Sequence, residues 1–341
     1  MRILIVNHEF TISGASTVFW RLARHLRARG HTLKLLPCNP ADGPMKPRFE
    51  ALGIEVVDKV VTAEFDLVIA NGICSAPVVM KLGPLIPTMW LVHEAEVALD
   101  LLLKNPNWVQ AFAAARMVVY ETPYQLDILR SFGIQQPASK FHVLPNGVEV
   151  FPERLARDKI PPKARAFRAV QAGTMEPRKR PGDFIRAVER SGLDMEAVIC
   201  GKFFHMDDEA LAIVKAEPQK YRLLEGLPDD ELLAWVESAD MFCLASGSET
   251  QGIAAYEAAL LYRPLLLSDL PCYEGIFRHG RNCLMFPPGH ITLLALSMRS
   301  LAASSGLREE LGRAAQATAR DYTQERFCRR FDELMATAMG A

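Results

Sequence analysis

No apolar run in this 341-residue chain approaches the roughly 20 residues that cross a bilayer, so a membrane-spanning helix is not expected. The opening Met1-Arg2-Ile3-Leu4-Ile5-Val6-Asn7 is too short an apolar run for a secretory signal. The expected location is cytoplasmic, with peripheral contact at the inner face of the membrane left open. There is no CxxC pair. The seven cysteines (Cys38, Cys74, Cys200, Cys243, Cys272, Cys283, Cys328) are scattered, which argues against a disulfide frame or zinc site and for reduced thiols. Cys200 and Cys243 lie in apolar runs, where cysteine behaves as a small hydrophobe. A basic excess is also missing: 39 Lys and Arg against 40 Asp and Glu give a formal net charge of −1. That balance removes the electrostatic case for a nucleic-acid partner. No Asp-x-Asp occurs, and no GxGxxG follows the first apolar run. Neither a carboxylate cluster for Mg²⁺ nor a dinucleotide fingerprint is therefore expected. Short-period repeats and low-complexity segments are absent too.

What is present suits a folded protein of two domains. Half the residues are hydrophobic and 23% charged, an ordinary balance for a globular chain of this length. The pattern predicts strands over 2–6, 32–36, 54–57, 65–70, 88–92, 117–120 and 141–144, with helices over 17–29, 107–115 and 123–132. Within 17–29, Arg21, Arg24 and Arg27 recur at helical spacing and read as a solvated face, a lipid-facing one being the lesser reading. Over 151–168, Pro152, Pro161, Pro162 and many charges break any apolar period, as in a linker. The alternation then restarts: strands over 169–172, 195–200, 221–224, 241–245 and 264–267, helices over 181–190, 209–216, 229–238 and 252–262. Alternating strands and helices predict an α/β chain with two doubly wound parallel sheets facing across a cleft. The expected division is 1–155, a linker over 156–168, a second domain over 169–322, and a last helix over 323–341 packing back across the linker.

The strongest chemical signal is Glu249-Thr250-Gln251-Gly252-Ile253-Ala254-Ala255-Tyr256-Glu257, which follows an apolar strand and the small turn Ser246-Gly247-Ser248. A helix starting near Gly252 would present free amides and its positive dipole end to an anion. Glu249 then lies before that end and Glu257 about 7 Å inside it, at about 1.5 Å per residue. A diphosphate there would have a carboxylate on each side, one for sugar hydroxyls and one for ribose hydroxyls. Gly252 would let phosphate approach the backbone. A capping role for Glu249 and a helix-surface role for Glu257 are the plainer alternatives. The second signal is Gly173-Thr174-Met175-Glu176-Pro177-Arg178-Lys179-Arg180-Pro181, again after a strand. Consecutive cations at a strand's C-terminal end suit a phosphate site, or else form a solvated basic turn.

These motifs resemble those of the retaining GT-B glycosyltransferases of glycosyltransferase family 4. So do Pro145-Asn146-Gly147-Val148, Ser238-Ala239-Asp240, and the stretch from Leu270-Pro271 to Pro287-Pro288-Gly289 with its Arg278-His279-Gly280-Arg281-Asn282. The resemblance spans nearly the whole chain and is most specific in the C-terminal half. It implies a GT-B fold and transfer of a sugar from a nucleotide diphosphate, UDP or GDP, to a glycan or lipid-linked acceptor. It further implies that Arg178 and Lys179 hold the diphosphate and that Glu257 binds the ribose. Glu249, with backbone amides around Gln251, Gly252 and Ile253, would hold the transferred sugar. Gly14 resembles the glycine of a phosphate-approaching loop, and His93 a histidine near the sugar, although a lone histidine after a strand is commonly structural. Glu94 and Glu96 are acceptor-side candidates or solvent-exposed charges. Departures are Thr174 where relatives carry arginine, a single N-terminal loop glycine, Tyr262 at a usually small position, and Gln251 in place of an aromatic.

The resemblance implies retention without a metal or other cofactor, by same-face attack of the acceptor hydroxyl. The leaving diphosphate would be stabilised by Arg178, Lys179 and the helix end. Base recognition is expected from backbone near 201–203 and 226–228, and acceptor binding near His93 and the apolar stretch 98–103, itself read as core. The competing readings are a nucleotide-sugar epimerase or phosphorylase of the same architecture, and a non-catalytic scaffold that grips a nucleotide sugar. Donor sugar, base, acceptor and oligomeric state are not legible.

Overall fold

The computed structural model describes residues 1–39, 42–134 and 137–340. The chain divides into two compact units, Met1–Gly147 with the segment from Gln324 onward, and Val148–Thr323.

Unit 1 runs β1 (Arg2–Asn7), α1 (Gly14–Ala28), β2 (Thr32–Pro37), α2 (Lys46–Glu50), β3 (Glu55–Val56), β4 (Leu67–Asn71) and α3 (Ala76–Leu82). It continues through β5 (Thr88–Val92), α4 (Glu96–Lys104), α5 (Gln110–Ala114), β6 (Met117–Tyr120), α6 (Pro123–Ser131) and β7 (Phe141–Val143). The strands form one sheet in the order β3-β2-β1-β4-β5-β6-β7, and neighbours pair parallel. Strands buried on both faces should be apolar throughout, and β4, β5 and β6 are buried at every position. Trp90 of β5 closes the core against Phe112, ring centroids 4.8 Å apart, and donates its indole N–H to the Gly72 carbonyl at 2.9 Å.

Unit 2 repeats the plan with β8 (Phe167–Ala172), α7 (Pro181–Ser191), β9 (Met195–Cys200), α8 (Asp208–Ala216), β10 (Tyr221–Leu224), α9 (Asp229–Glu237) and β11 (Met241–Leu244). Then come α10 (Ile253–Leu260), β12 (Leu265–Ser268), β13 (Leu284–Phe286), α11 (Ile291–Ala303) and α12 (Ser305–Ala319). Its parallel sheet has the order β10-β9-β8-β11-β12-β13. In each sheet the strand order reverses beside the unit's first strand, between β1 and β4 and between β8 and β11. In doubly wound sheets that is the crevice where ligands bind, at the strands' C-terminal ends.

The last helix, α13 (Gln324–Met339), returns to unit 1. It packs against β5, and Asp332 meets His25 of α1 at 3.0 Å. A Cβ on Gly147 would lie 2.6 Å from the Gln324 Cα and 2.8 Å from the Phe327 Cβ, so the glycine of Pro145-Asn146-Gly147-Val148 is what lets α13 pass.

Several elements depart from the sequence reading. Helix α1 starts at Gly14 rather than 17, because Ser13 caps it, its hydroxyl accepting the Ser16 N–H at 3.2 Å. The solvated reading of its arginines is corrected: Arg21 is buried, Arg24 lies 5.0 Å over the Trp20 ring, and Arg27 donates to the Leu52 and His31 carbonyls. On the Arg24 and Arg27 side, α2 and the turn after it close over the helix, Trp20 donating to the Arg48 carbonyl and Arg27 to that of Leu52. The helix expected over 107–115 is a 3₁₀ turn, Pro106–Val109, followed by α5. The linker begins β8 two residues early and buries Leu155 and Ala156. Stretch 98–103 is split, with Ala98 and Leu102 buried and Leu103 exposed. Helices α11 and α12 and strand β13 go unread in the sequence pattern. In α11 the apolar period is blurred, since Leu293 and Leu296 are exposed beside buried Leu294 and Ala295. Among the described residues no helix is long and apolar enough to cross a membrane.

Candidate active site

In unit 2 the loops after β8 and β11 meet at the strand-order reversal. The β8 loop leans on the β9 loop, where a Cβ on Gly201 would fall 1.7 Å from the Gly173 carbonyl oxygen, and Met175 bridges to Phe203. A 3₁₀ turn, Pro177–Lys179, then leads into Arg180, whose backbone is left-handed at φ 46°, before Pro181 opens α7. The turn is pinned twice: buried Gln171 donates to the Lys179 carbonyl at 2.9 Å, and Gly247 N–H donates to the Arg178 carbonyl at 2.6 Å.

These constraints aim Arg178 and Lys179 at Glu249. Lys179 Nζ donates to Glu249 Oε1 at 2.5 Å and Arg178 to Oε2 at 3.2 Å. Ser246 Oγ donates to Oε1 at 2.7 Å, and Arg178 also pairs with Glu176 at 2.6 Å. Lys179 is 8% and Glu249 5% exposed. Burial alone would push the Glu249 carboxyl up. The Lys179 and Arg178 charges, with hydrogen bonds from Lys179 and Ser246, outweigh it and hold the group below its ordinary value. Glu249 is thus an ionised acceptor inside a cationic pocket.

Helix α10 follows. Gly252 is its N-cap with φ 75°, a left-handed conformation suited to glycine. The space a Cβ would fill is taken by the Tyr273 hydroxyl, at 2.2 Å. The sequence reading kept that space open for phosphate, so the reason for glycine is corrected: it is Tyr273, from the loop after β12. The Tyr273 hydroxyl is buried without a hydrogen-bond partner among the described residues, and burial, with charges including Glu249, raises its pKa well above the ordinary value. Gln251 is buried before the cap, Ile253 opens the helix, and Glu257 is half-buried four residues on. A cavity of about 530 Å³ opens beside Tyr273, between Leu270, Phe277 and Met285.

The remaining candidates are in unit 1. Gly14 is the first residue of α1, and a Cβ there would meet nothing within 4 Å, so packing makes no demand for glycine. His93 follows β5 directly and is 8% exposed. Its Nδ1 lies 2.5 Å from Glu121 Oε1 and its Nε2 2.5 Å from Asn71 Oδ1. Glu94 is turned inward, its Oε2 accepting the Ile73 and His93 N–H groups at 2.9 and 3.1 Å. Glu96 accepts the Tyr124 hydroxyl at 2.6 Å. Among the described residues no group of three or more His, Cys, Asp or Glu is placed to hold a metal ion.

The structure therefore joins Arg178, Lys179 and Glu249 directly, with Gln251, Gly252 and Ile253 adjoining and Glu257 deeper along α10. Sequence reasoning missed Ser246 as a partner, Tyr273, and the Glu121, Asn71 and Asn7 around His93. A usable signal existed for the last three: polar residues ending or directly following the apolar strands β1, β4 and β6.

Two family patterns match the chain, "Glycosyltransferase Family 4" over residues 12–150 and "Glycosyl transferases group 1" over residues 153–318. Curated relatives include D-inositol 3-phosphate glycosyltransferases. That of Pseudarthrobacter chlorophenolicus is 23% identical over 223 residues, 61% of this chain and 52% of the relative. That of Paenarthrobacter aurescens is 26% identical over 232 residues, 62% of this chain and 55% of the relative. The chain spans about half the length of these curated relatives. Among solved structures, Anabaena HepE in complex with UDP and glucose superposes with a TM-score of 0.82 at 17% identity, over 99% of this chain and 100% of that one. The sucrose-phosphate synthase of Thermosynechococcus elongatus superposes at 0.76 with 15% identity, over 100% of both chains. The likeness to these structures is one of fold.

Proposed function

The chain belongs to the GT-B glycosyltransferases, joining a Glycosyltransferase Family 4 half to a group 1 half, and on that footing we propose that it retains anomeric configuration without a metal ion. The donor is a nucleotide-diphosphate sugar held in unit 2. The observation that carries this reading is the convergence of Lys179 and Arg178 on buried, ionised Glu249 at the reversal of the sheet.

Without donor, the two cations neutralise Glu249. When the diphosphate arrives it competes for them with more charge, at the end of α10 where helix amides and dipole also favour an anion. Glu249, released from part of its pairing and still ionised, accepts hydrogen bonds from sugar hydroxyls. Glu257 takes the ribose. The acceptor hydroxyl oxygen bonds to the anomeric carbon on the face that the diphosphate leaves. The breaking C–O bond passes its electron pair to the diphosphate, and the hydroxyl proton goes to a phosphate oxygen. Lys179 and Arg178 stabilise the charge that develops there. The acceptor in this reading is a glycan or a lipid-linked sugar bound by unit 1. Gly14 and His93, both in unit 1, enter this reading only through the resemblance.

The test is thermal stabilisation by UDP, GDP, ADP and CMP with EDTA present, in wild type and in Lys179→Ala. A shift with one diphosphate, insensitive to EDTA and lost in the variant, is the expected result and names the base. Absence of a shift with every nucleotide overturns the transferase reading. A glycosyl adduct trapped on Glu249 would replace same-face attack with double displacement.

A further inference from the structure

The hydrogen bonds around His93 fix its protonation state from one end. The Glu9 main-chain carbonyl can only accept, so Asn7 turns its amide nitrogen toward it, at 2.7 Å. Asn7 Oδ1 therefore faces Asn71, which donates its own amide nitrogen at 2.8 Å. That leaves Asn71 Oδ1 toward His93 Nε2 at 2.5 Å, and Nε2 must carry a proton. At the other end, Nδ1 faces Glu121 Oε1 at 2.5 Å. A neutral ring would there oppose its lone pair to a carboxylate lone pair, whereas an imidazolium satisfies both ends.

We propose that Glu121 and the Asn7–Asn71 relay hold His93 as a standing imidazolium, making it a fixed positive charge and positioning residue rather than a proton carrier. The set occupies the C-terminal ends of β1, β4, β5 and β6, across the strand-order reversal of unit 1. Asn7 and Asn71 are fully buried and Glu121 is 6% exposed, so water does not substitute for any partner. Glu121 is itself located by its neighbours. Its N–H donates to Gln125 Oε1 at 2.7 Å, and the Gln125 amide donates to the Val92 carbonyl at 2.8 Å, next to His93.

The ionisable groups around the ring are Glu121, the inward-turned Glu94, and on the β1 side His8 and Glu9. Burial lowers the histidine's proton affinity. The Glu121 hydrogen bond and charge, with the charge of Glu94, more than reverse this and raise it. A raised value in the folded state contributes stability in full below the unfolded pKa of about 6.5, and that contribution is lost as pH rises through the folded value. With both N–H groups engaged, the ring offers a ligand neither donor nor acceptor. Its contribution to transfer, which rests on the function proposed above, is to hold the ends of β4, β5 and β6 together, with β1 tied in through Asn7.

The experiment is ¹⁵N NMR of the full chain labelled at histidine, from pH 5.5 to 8.5, with His93 assigned by loss of its signal in His93→Gln. Wild type should show both ring nitrogens protonated throughout. In Glu121→Gln the ring should titrate at or below about 6.5, leaving the proton on Nε2 when neutral. A wild-type ring that is neutral at pH 7 overturns the proposal, and that reading needs no variant to fold. In a transfer assay, E121Q should lose roughly tenfold in kcat with little change in donor KM and acquire a new pH limb near its ring pKa, as loss of an orienting partner does. E121D should restore the flat profile. A purely structural role would leave the profile's shape unmoved. If wild type binds no nucleotide, the transferase reading fails while the NMR result still decides the charge on His93.

Discussion

Lys179 and Glu249, 70 positions apart in the chain, lie 2.5 Å from each other in a pocket that nearly excludes water. Each is the other's nearest counter-charge, so anything that binds one must be matched by what happens to the other.

The pair is energetically coupled. Lys179→Met leaves Glu249 buried with only Arg178 and Ser246, and should cost about 1–3 kcal/mol. Adding Glu249→Gln should return part of it, with a coupling energy of about 0.5–3 kcal/mol in a urea-denaturation cycle. Simple additivity would show that the two do not interact.

Stability should depend on acid through Glu249. Its carboxyl is held down in the folded state, so its contribution is present above the unfolded value of about 4.3 and disappears as pH falls through the lower folded value. Wild type should therefore lose stability relative to Glu249→Gln between about pH 4.3 and lower pH. Parallel stability curves over that interval would contradict the depressed value.

Gly252 and Tyr273 make a paired prediction. Gly252→Ala must hold a left-handed backbone, at about 1–3 kcal/mol, and also clash with the phenol. Tyr273→Phe alone should be nearly neutral, since the hydroxyl has no hydrogen-bond partner among the described residues. Together they should cost less than the sum, because the ring atoms left nearest stand 3.0 and 3.1 Å away. Thermal melts of the four proteins check this.

Phe331 is fully buried on α13. Phe331→Ala should destabilise unit 1 by about 3–5 kcal/mol. Hydrogen exchange should quicken in β5 and α1, while β8 to β13 keep their protection. Equal loss in both units would mean that they unfold as one.

The sequence made most of this legible where a residue's role is written in its immediate neighbours. Strands Thr88–Val92 and Met117–Tyr120 run to the limits the apolar pattern predicts, because parallel strands covered on both sides leave no polar interruption. Lys179 and Glu249 stood out because each follows a strand and sits in a charged or turn-rich motif. Glu121, Asn7 and Asn71 did not. Each looks like an ordinary polar residue closing a strand, and only parallel register brings Asn7 to Asn71 across 64 positions and His93 to Glu121 across 28. Arg21 was misread for a related reason, since a helix period separates two faces without saying that a neighbouring segment covers both. Tyr273 was invisible because its significance lies in the missing side chain of Gly252.

The return of α13 to unit 1 has a consequence for how the protein is made. Phe327, Phe331 and Met335 complete that unit's interior, yet the ribosome adds them only after every residue of unit 2. Residues 1–147 leave the exit tunnel first and must wait, with the surface meant for α13 open to water. Unit 2, continuous in the chain, has all its parts sooner. The usual vectorial order, in which the leading domain closes first, is inverted here. The span of synthesis between Gly147 and Gln324 is when the leading unit most needs protection from aggregation.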